Sequence, residues 1–380
     1  MSQGIQTLKA VNESIEAGTK FLEQAKSVAN SALETAQPIA AKVSTEEELL
    51  AAVNSGKKGL IVLTSDITMS TNQNIVLNDG QSLVGARYLD KNAAQTKITF
   101  EFDSTSAAIG IEVGDNSLIS DLSIDYTTKH KTDSVNFGTV RNNGHQNVII
   151  KNINILFKTD DTSGNRSGAL ININNAITTL DGTIDINIPS TTGRFAFGLH
   201  NQNGSTFIQK ETSKISITTN GYAGRAISQG DNIFKGIINI KTTGEWAHAF
   251  YGNATISGKA IIETSKSNAY GFIDWEMNLT SENAEIFFTE NMTATLERTK
   301  FSAVRGATIM TKNGRYQVVE NIKKDNFNET NLTENEFVRI GNYSVDVIDK
   351  IIHSELLEKR NENTSNINQY NQILTQYDML

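Results

Sequence analysis

The chain has 380 residues, a formal net charge of −8 at pH 7 and no cysteine. The acidic balance, with a pI of about 5.3, argues against a nucleic-acid groove or contact with an anionic membrane surface. The lack of cysteine excludes disulfides, thiolate metal sites and thiol nucleophiles.

The first ten residues lack a basic stretch followed by an apolar one, so we expect no cleavable signal peptide. No apolar run approaches the roughly 18 residues of a membrane span, so none is predicted. Residues 3–42 are predicted to form an amphipathic helix, because apolar side chains recur at spacings of three and four: Ile5, Leu8, Val11, Ile15, Leu22, Ala25, Val28, Ala29, Ala32 and Leu33. The apolar stripe is narrow and needs a partner surface to be stable in water. Residues 1–43 therefore form a helical arm that either mediates self-association or packs along its own chain.

A short capping helix is predicted over residues 44–56. Ser44–Glu47 has the pattern of a capping box, and Gly56 is placed to end the helix. The helix leads directly into short apolar runs separated by polar turns: Leu60–Leu63, Asp66–Met69, Asn74–Leu77 and Gln81–Gly85.

An internal repeat dominates the middle of the chain. Four segments can be aligned on a shared alanine: Arg194–His200, Gly221–Ile227, Glu245–Tyr251 and Ser267–Ile273. The alanines, Ala196, Ala223, Ala247 and Ala269, lie 27, 24 and 22 residues apart, and Ala169 lies 27 residues further upstream. Strand-like runs lie between them and after the last: Ile215–Ile217, Ile238–Ile240, Ile261–Glu263 and Ile286–Phe288. A period of roughly 20 to 30 residues, built from short strands and polar turns, predicts a β-solenoid.

Paired strand patterns in Ile109–Ile124 and Asn147–Ile155, together with the capping helix, resemble the right-handed parallel β-helix of the pectin-lyase-like superfamily. The resemblance covers roughly residues 44–310 and implies a fold but no particular activity. We assign residues 44–325 to the parallel β-helix and residues 326–380 to a C-terminal cap and helical tail. Helical spacing recurs in Val345–Leu357 and in Ile367–Tyr377. Asparagines are expected at turns and in ladders along the solenoid: Asn142, Asn143, Asn147, Asn172, Asn174, Asn175, Asn201 and Asn203.

Enzymes of this superfamily act through calcium-binding aspartates beside a basic residue, or through clustered carboxylates. If the chain is an enzyme, the candidate catalytic residues are Asp160, Asp161, Asp274 and Glu276. Asp274 and Glu276 flank Trp275, and on a strand they would share one face. The alternatives are a turn at Asp160 and Asp161, and an ordinary charged outer face at the other pair. The superfamily's Gly-His-Gly motif is absent, since Gln146 follows Gly144 and His145, and the histidines show no metal-ligand spacing. No metal or cofactor is expected.

The aligned repeats place Phe195, Tyr222 and Trp246 in one aromatic column, with Leu199, Ala226, Phe250 and Phe272 sharing a strand face. The column either faces inward, which Arg225 on the opposite face favours, or forms an outward platform for sugar rings or a protein. The candidate binding residues are Trp275, Asp274, Glu276, Tyr251 and Arg225.

Three functions fit these patterns. We favour a non-catalytic, exported β-helix that presents a lateral binding surface, as an adhesin, virulence or filament component, and that self-associates through residues 3–42. Its partner would be a glycan or a host or cell-surface protein, and its export would need no cleavable signal. A polysaccharide lyase or tailspike-like depolymerase is the first alternative, and an effector injected by a specialised secretion system is the second.

Overall fold

The computed structural model describes residues 37–103, 108–129, 137–159, 167–189, 196–202, 204–266, 268–290, 292, 294–327, 333 and 335–349. The predicted arm helix lies outside these residues except at its C-terminal end. There the prediction is wrong, because Ile39–Val43 forms a strand that pairs in parallel with Gly59–Leu63. Of the predicted C-terminal helices only residues 345–349 are described, and these are helical.

The chain folds as a parallel β-solenoid of about eight turns and is 59% β-strand. The first strands are β1 (Ile39–Val43), β2 (Gly59–Leu63), β3 (Ile67–Thr68), β4 (Ile75–Val76), β5 (Gln81–Gly85), β6 (Thr96–Phe102), β7 (Ile109–Val113), β8 (Leu118–Thr128), β9 (Phe137–Asn143) and β10 (Val148–Thr159). The central strands are β11 (Ser167–Ile173), β12 (Ile177–Ile188), β13 (Ala196–Asn201), β14 (Thr206–Gln209), β15 (Lys214–Thr219), β16 (Arg225–Phe234), β17 (Ile237–Thr242), β18 (Phe250–Ile256) and β19 (Lys259–Thr264). The last are β20 (Tyr270–Ile273), β21 (Glu276–Leu279), β22 (Glu285–Phe288), β23 (Ala294–Glu297), β24 (Thr299–Ala303), β25 (Thr308–Thr311), β26 (Gly314–Val318), β27 (Ile322–Phe327) and β28 (Phe337–Gly341).

The parallel pairings form three ladders, which we call faces A, B and C. Face A contains β3, β6, β8, β10, β12, β15, β17, β19, β22 and β25. Face B contains β4, β7, β9, β11, β13, β16, β18, β20 and β23. Face C contains β1, β2, β5, β8, β10, β12, β14, β16, β18, β21 and β24. The long strands β8, β10, β12, β16 and β18 bend at a corner and contribute to two faces.

Ladders of like side chains fill the core. On face A one buried ladder runs through Ile98, Ile124, Ile155, Ile186, Ile217, Ile240 and Ile262. Stacked coils lie about 4.8 Å apart, so identical branched side chains pack on one another without gaps. The predicted strands Ile215–Ile217 and Ile238–Ile240 are confirmed. Ile261 is not part of the ladder. Ala260 and Ile262 take the inward positions opposite Ile238 and Ile240, and Ile261 points outward.

Asparagine residues shape the corners and bridge the coils. Asn116, Asn147, Asn174 and Asn175 have positive φ angles of 55° to 62°, a conformation that asparagine tolerates. A second set is buried in a polar ladder on face B: Asn142, Asn172 and Asn201. The Asn201 Nδ2 donates at 3.0 Å to the Oδ1 of Asn232, a buried residue of face C that pairs with Phe207.

The predicted repeat is confirmed, but the predicted offset between successive coils is wrong in three of the four cases. Ser167 pairs with Ala196, and Phe197 pairs with Arg225, so these coils are offset by 29 and 28 residues. The Ile227–Phe250 pair gives an offset of 23, and only the last step, Phe250–Phe272, matches the predicted 22. Ile227 therefore takes the place that the sequence alignment gave to Ala226.

One end of the core is closed by a helix, α1 (Glu46–Asn54), which buries Leu49 and Val53 against the first coils. The capping box is shifted by one residue from the prediction. Thr45 is the N-cap, with its Oγ1 accepting from Glu48 N, and the Glu48 carboxylate accepts from Ser44 N at 2.7 Å. A second helix, α2 (Ala86–Leu89), is only four residues long.

The other end is closed by antiparallel strands rather than by the helical cap alone. β27 pairs with β24, β26 with β25, and β28 with β26, each in the antiparallel sense. Phe337 in β28 is buried in the main core. In the described part of the chain, no helix is long and apolar enough to span a membrane.

Candidate functional site

Face B carries a cluster of aromatic and basic side chains, which we call the arginine–aromatic cluster: Phe197, Arg225, His248, Tyr251, Tyr270 and Trp275. The Arg225 guanidinium lies 3.5 Å from the centre of the Tyr251 ring and 6.0 Å from that of Phe197. The Tyr251 ring contacts the Trp275 ring edge-on, with centres 6.0 Å apart. A guanidinium over an aromatic face is held by the ring's negative charge distribution, which fixes the Arg225 head group in place.

The register of face B explains why these residues meet. The offsets of 28, 23 and 22 residues place Phe197, Arg225, His248 and Tyr270 in one column. His200, Ser228 and Tyr251 form a second column. The cluster is therefore a product of stacking between coils. It joins residues that are more than 70 positions apart in sequence, from Phe197 to Trp275.

His248 is a buried member of the cluster. Its Nδ1 accepts a hydrogen bond from the Tyr270 backbone N–H at 3.1 Å, and its ring lies 5.4 Å from the Tyr270 ring. Burial lowers the pKa of His248 to about 4, with Arg225 and Arg298 acting in the same direction and Asp274 opposing them. His248 is therefore neutral at neutral pH, and the positive charge of the cluster resides on Arg225.

The predicted carboxylates do not form an acid–base pair on a strand. Asp274 has a φ of 67° and lies at the corner before β21, whereas Glu276 begins that strand. Arg298 contacts both Asp274 carboxylate oxygens, at 2.7 and 3.1 Å, and Lys300 lies 3.5 Å from Glu276 Oε1. Each carboxylate is therefore neutralised by a cation from the next coil, as the alternative of a charged outer face implied.

Of the two orientations considered for the aromatic column, the structure agrees with the outward one for both described members. Tyr222 and Trp246 are 41% and 45% exposed. The 23-residue offset aligns Trp246 with Ala223, not with Tyr222, and both of the aligned residues have positive φ. The two rings lie on successive corner turns, just before Arg225 and His248 in sequence, and they face solvent. Phe195, Asp160 and Asp161 lie outside the described residues.

One group of potential metal ligands occurs in the described part of the chain. Asp79, Asp115 and His145 offer ligand atoms within 4.8 Å of one another. Asp79 Oδ1 already accepts from Asp115 N at 2.8 Å, and Asp115 Oδ1 accepts from Gln146 N at 2.6 Å. These hydrogen bonds join successive turns of the solenoid, and they account for the short distance between the two carboxylates.

The structure brings together Arg225, Tyr251 and Trp275 of the predicted binding residues. Asp274, which is held by Arg298, and Glu276, which begins β21, flank Trp275 in sequence. Phe197, His248 and Tyr270 were missed. The sequence held one signal for these residues, which is an aromatic or basic residue at the same position of each coil. The wrong offsets between the predicted coils put these residues in different columns. Comparisons of the chain with protein-family models, curated proteins and solved structures found no match.

Proposed function

We propose that the protein is a non-catalytic β-solenoid that binds a glycan on its lateral surface through the arginine–aromatic cluster and the exposed rings of Tyr222 and Trp246, which precede Arg225 and His248 in sequence. The observation that carries this proposal is the Arg225 guanidinium stacked on Tyr251, beside Trp275 and close in sequence to two exposed aromatic rings. Aromatic faces pack on the apolar faces of sugar rings, and fixed N–H groups select among hydroxyl and carboxylate groups.

The carboxylates support binding more than hydrolysis. A retaining or inverting glycosidase needs two carboxyl groups available to the scissile bond. Asp274 and Glu276 are both engaged by cations of the next coil. Asp160 and Asp161 lie outside the described residues, so the alternative of a carbohydrate-active enzyme stays a prediction.

We also propose the finer features predicted from the sequence. The solenoid is right-handed and of the pectin-lyase-like type, as the resemblance of its capping helix and paired strands implies. Asparagine corners in the left-handed conformation support this assignment. The protein is exported or displayed at a cell surface as an adhesin or filament component, and it self-associates through the part of residues 3–42 that precedes β1.

The test is retention of the purified protein on a panel of immobilised neutral and acidic polysaccharides, scored also for new chain ends. We expect retention without cleavage. The double variant Tyr222→Ser with Trp246→Asn should lose at least tenfold in affinity, since asparagine keeps the positive φ of position 246. Leu89→Ala, which removes another large exposed side chain, should bind normally.

Two results would overturn the proposal. New chain ends would establish an enzyme and direct attention to Asp160 and Asp161. Failure of the whole panel to retain the protein would remove glycan binding and leave a protein partner.

A further inference from the structure

An open groove of about 440 Å³ lies on the outer side of face A, across β8, β10, β12 and β15. Its floor is an ordered array of outward side chains in two columns. One column pairs Ser123, Asn154, Asp185 and Ser216 in successive coils, and the other pairs Asp125, Leu156, Asn187 and Thr218. Face B, with the arginine–aromatic cluster, is a separate ladder.

The chemistry of the array is that of a site for hydroxyl groups. Seven of its eight outward side chains are polar, and none of the residues that line the groove is basic. The side chain of Asp185, which is half-buried, has no hydrogen-bond or ion-pair partner among the residues that the structure describes. Leu156 adds one apolar contact in the middle of the floor.

The same column changes character where the chain covers it. Beyond Ser216 it continues through Asn239 to Ile261, Phe287 and Met310. The last three are buried against Ile348, with Tyr343 and Val347 packed on them. This column is therefore apolar where Tyr343, Val347 and Ile348 lie on it and polar along the groove, which favours a hydrophilic occupant for the groove.

We propose that this groove is a second binding site, for a neutral polysaccharide that lies extended along the solenoid axis. The array repeats about every 4.8 Å along the axis, which is close to the advance of one pyranose unit in an extended chain. Each coil then offers one pair of side chains per sugar. Asp185 disfavours an acidic polysaccharide by charge repulsion and accepts hydrogen bonds from sugar hydroxyls. Asp125 is ion-paired with Lys97 at 3.3 Å and contributes acceptor oxygens rather than net charge.

The experiment is affinity electrophoresis of the full chain in gels containing a neutral β-glucan, a mannan or an acidic polysaccharide. At least one neutral polymer should bind in this groove and retard the intact protein. The acidic polymer should not bind in the groove. The double variant Asp185→Ala with Asn187→Ala should weaken that binding at least tenfold, and Thr218→Arg, which fills the groove, should do the same. Glu211→Ala removes an exposed carboxylate outside the groove and should bind normally.

The Tyr222→Ser, Trp246→Asn variant separates this site from the cluster on face B. It should lose the binding that the cluster contributes and keep the retardation by a neutral polymer that the groove contributes, which the Asp185→Ala, Asn187→Ala variant removes. Normal circular dichroism of the groove variants, with unchanged retardation, would overturn the proposal. Absence of retardation by every neutral polymer would also overturn it.

Discussion

At the scale of single residues, the chemistry of the cluster depends on which groups carry charge. Arg225 keeps its charge while lying on Tyr251, and His248 beside it is held neutral by burial. Asp274 opposes that effect but is itself paired with Arg298. The cluster therefore offers one fixed cation among aromatic rings, which suits polar recognition better than proton transfer.

The low pKa of His248 makes stability depend on pH. The unfolded chain, with a histidine pKa of about 6.5, takes up a proton before the folded one, whose His248 pKa is about 4. The His248 contribution is thus complete above pH 6.5 and is lost as the pH falls toward 4. Between these values the free energy of unfolding should fall by up to about 1.4 kcal/mol per pH unit from this group.

Urea unfolding at pH 7, 6 and 5 measures this slope. His248→Gln, which keeps an acceptor for the Tyr270 N–H, should show a smaller slope over the same range. Equal slopes in the two proteins would show that His248 does not titrate as described.

At the scale of elements, stability comes from ladders that join neighbouring coils. Asn172 Nδ2 donates to the Thr206 carbonyl at 2.9 Å, and its Oδ1 accepts from the Thr178 hydroxyl at 2.7 Å. Both bonds are buried or nearly so, and they tie β11 to β12 and β14. Buried polar groups that lose their partners are costly, so such ladders fix the register of the coils.

Asn172→Ala should lower the free energy of unfolding by about 2 to 4 kcal/mol, because it leaves the Thr178 hydroxyl and the Thr206 carbonyl without these partners. Asn283→Ala, at an exposed turn, should change it by less than about 0.5 kcal/mol. Denaturant unfolding monitored by circular dichroism compares the two. A similar small effect in both variants would contradict a structural role for the asparagine ladder.

The sequence predicted the elements better than their register. Alternating isoleucines such as Ile215 and Ile217 identify inward strand positions, because the core of a solenoid repeats in every coil. The spacing between coils was not predictable, since one extra residue at a corner, as in the step from Phe197 to Arg225, leaves the apolar pattern intact. The antiparallel strands were missed because β27 is rich in lysine and lacks apolar alternation. Because the predicted offsets between coils were wrong, the sequence did not predict which residues meet in the arginine–aromatic cluster.

At the scale of the whole molecule, an open-ended solenoid needs both ends covered, because an exposed end coil presents unpaired backbone and apolar side chains. Helix α1 covers the first coils, and β26 to β28 cover the last ones. Phe337 of β28 is buried in the core beneath these last strands, whereas its neighbour Val338 is exposed.

Phe337→Ala should lower the free energy of unfolding by about 3 to 5 kcal/mol, since it leaves a cavity beneath β28. Val338→Ala changes the adjacent residue on the solvent side and should cost less than about 0.5 kcal/mol. Thermal unfolding of both variants tests the closure. Equal and small shifts in Tm would show that β28 does not seal the core.

The central claim is that the lateral surface of face B binds a glycan, and the chain carries its own reporter. Its two tryptophans are Trp246 and Trp275. One is exposed beside the cluster and the other contacts Tyr251. Titration with a retained polysaccharide should therefore change the tryptophan emission in a saturable way, and Trp246→Asn should reduce both the change and the affinity. The Asp185→Ala, Asn187→Ala variant removes binding at the groove, so emission that stays constant while a polysaccharide binds to this variant would contradict the claim.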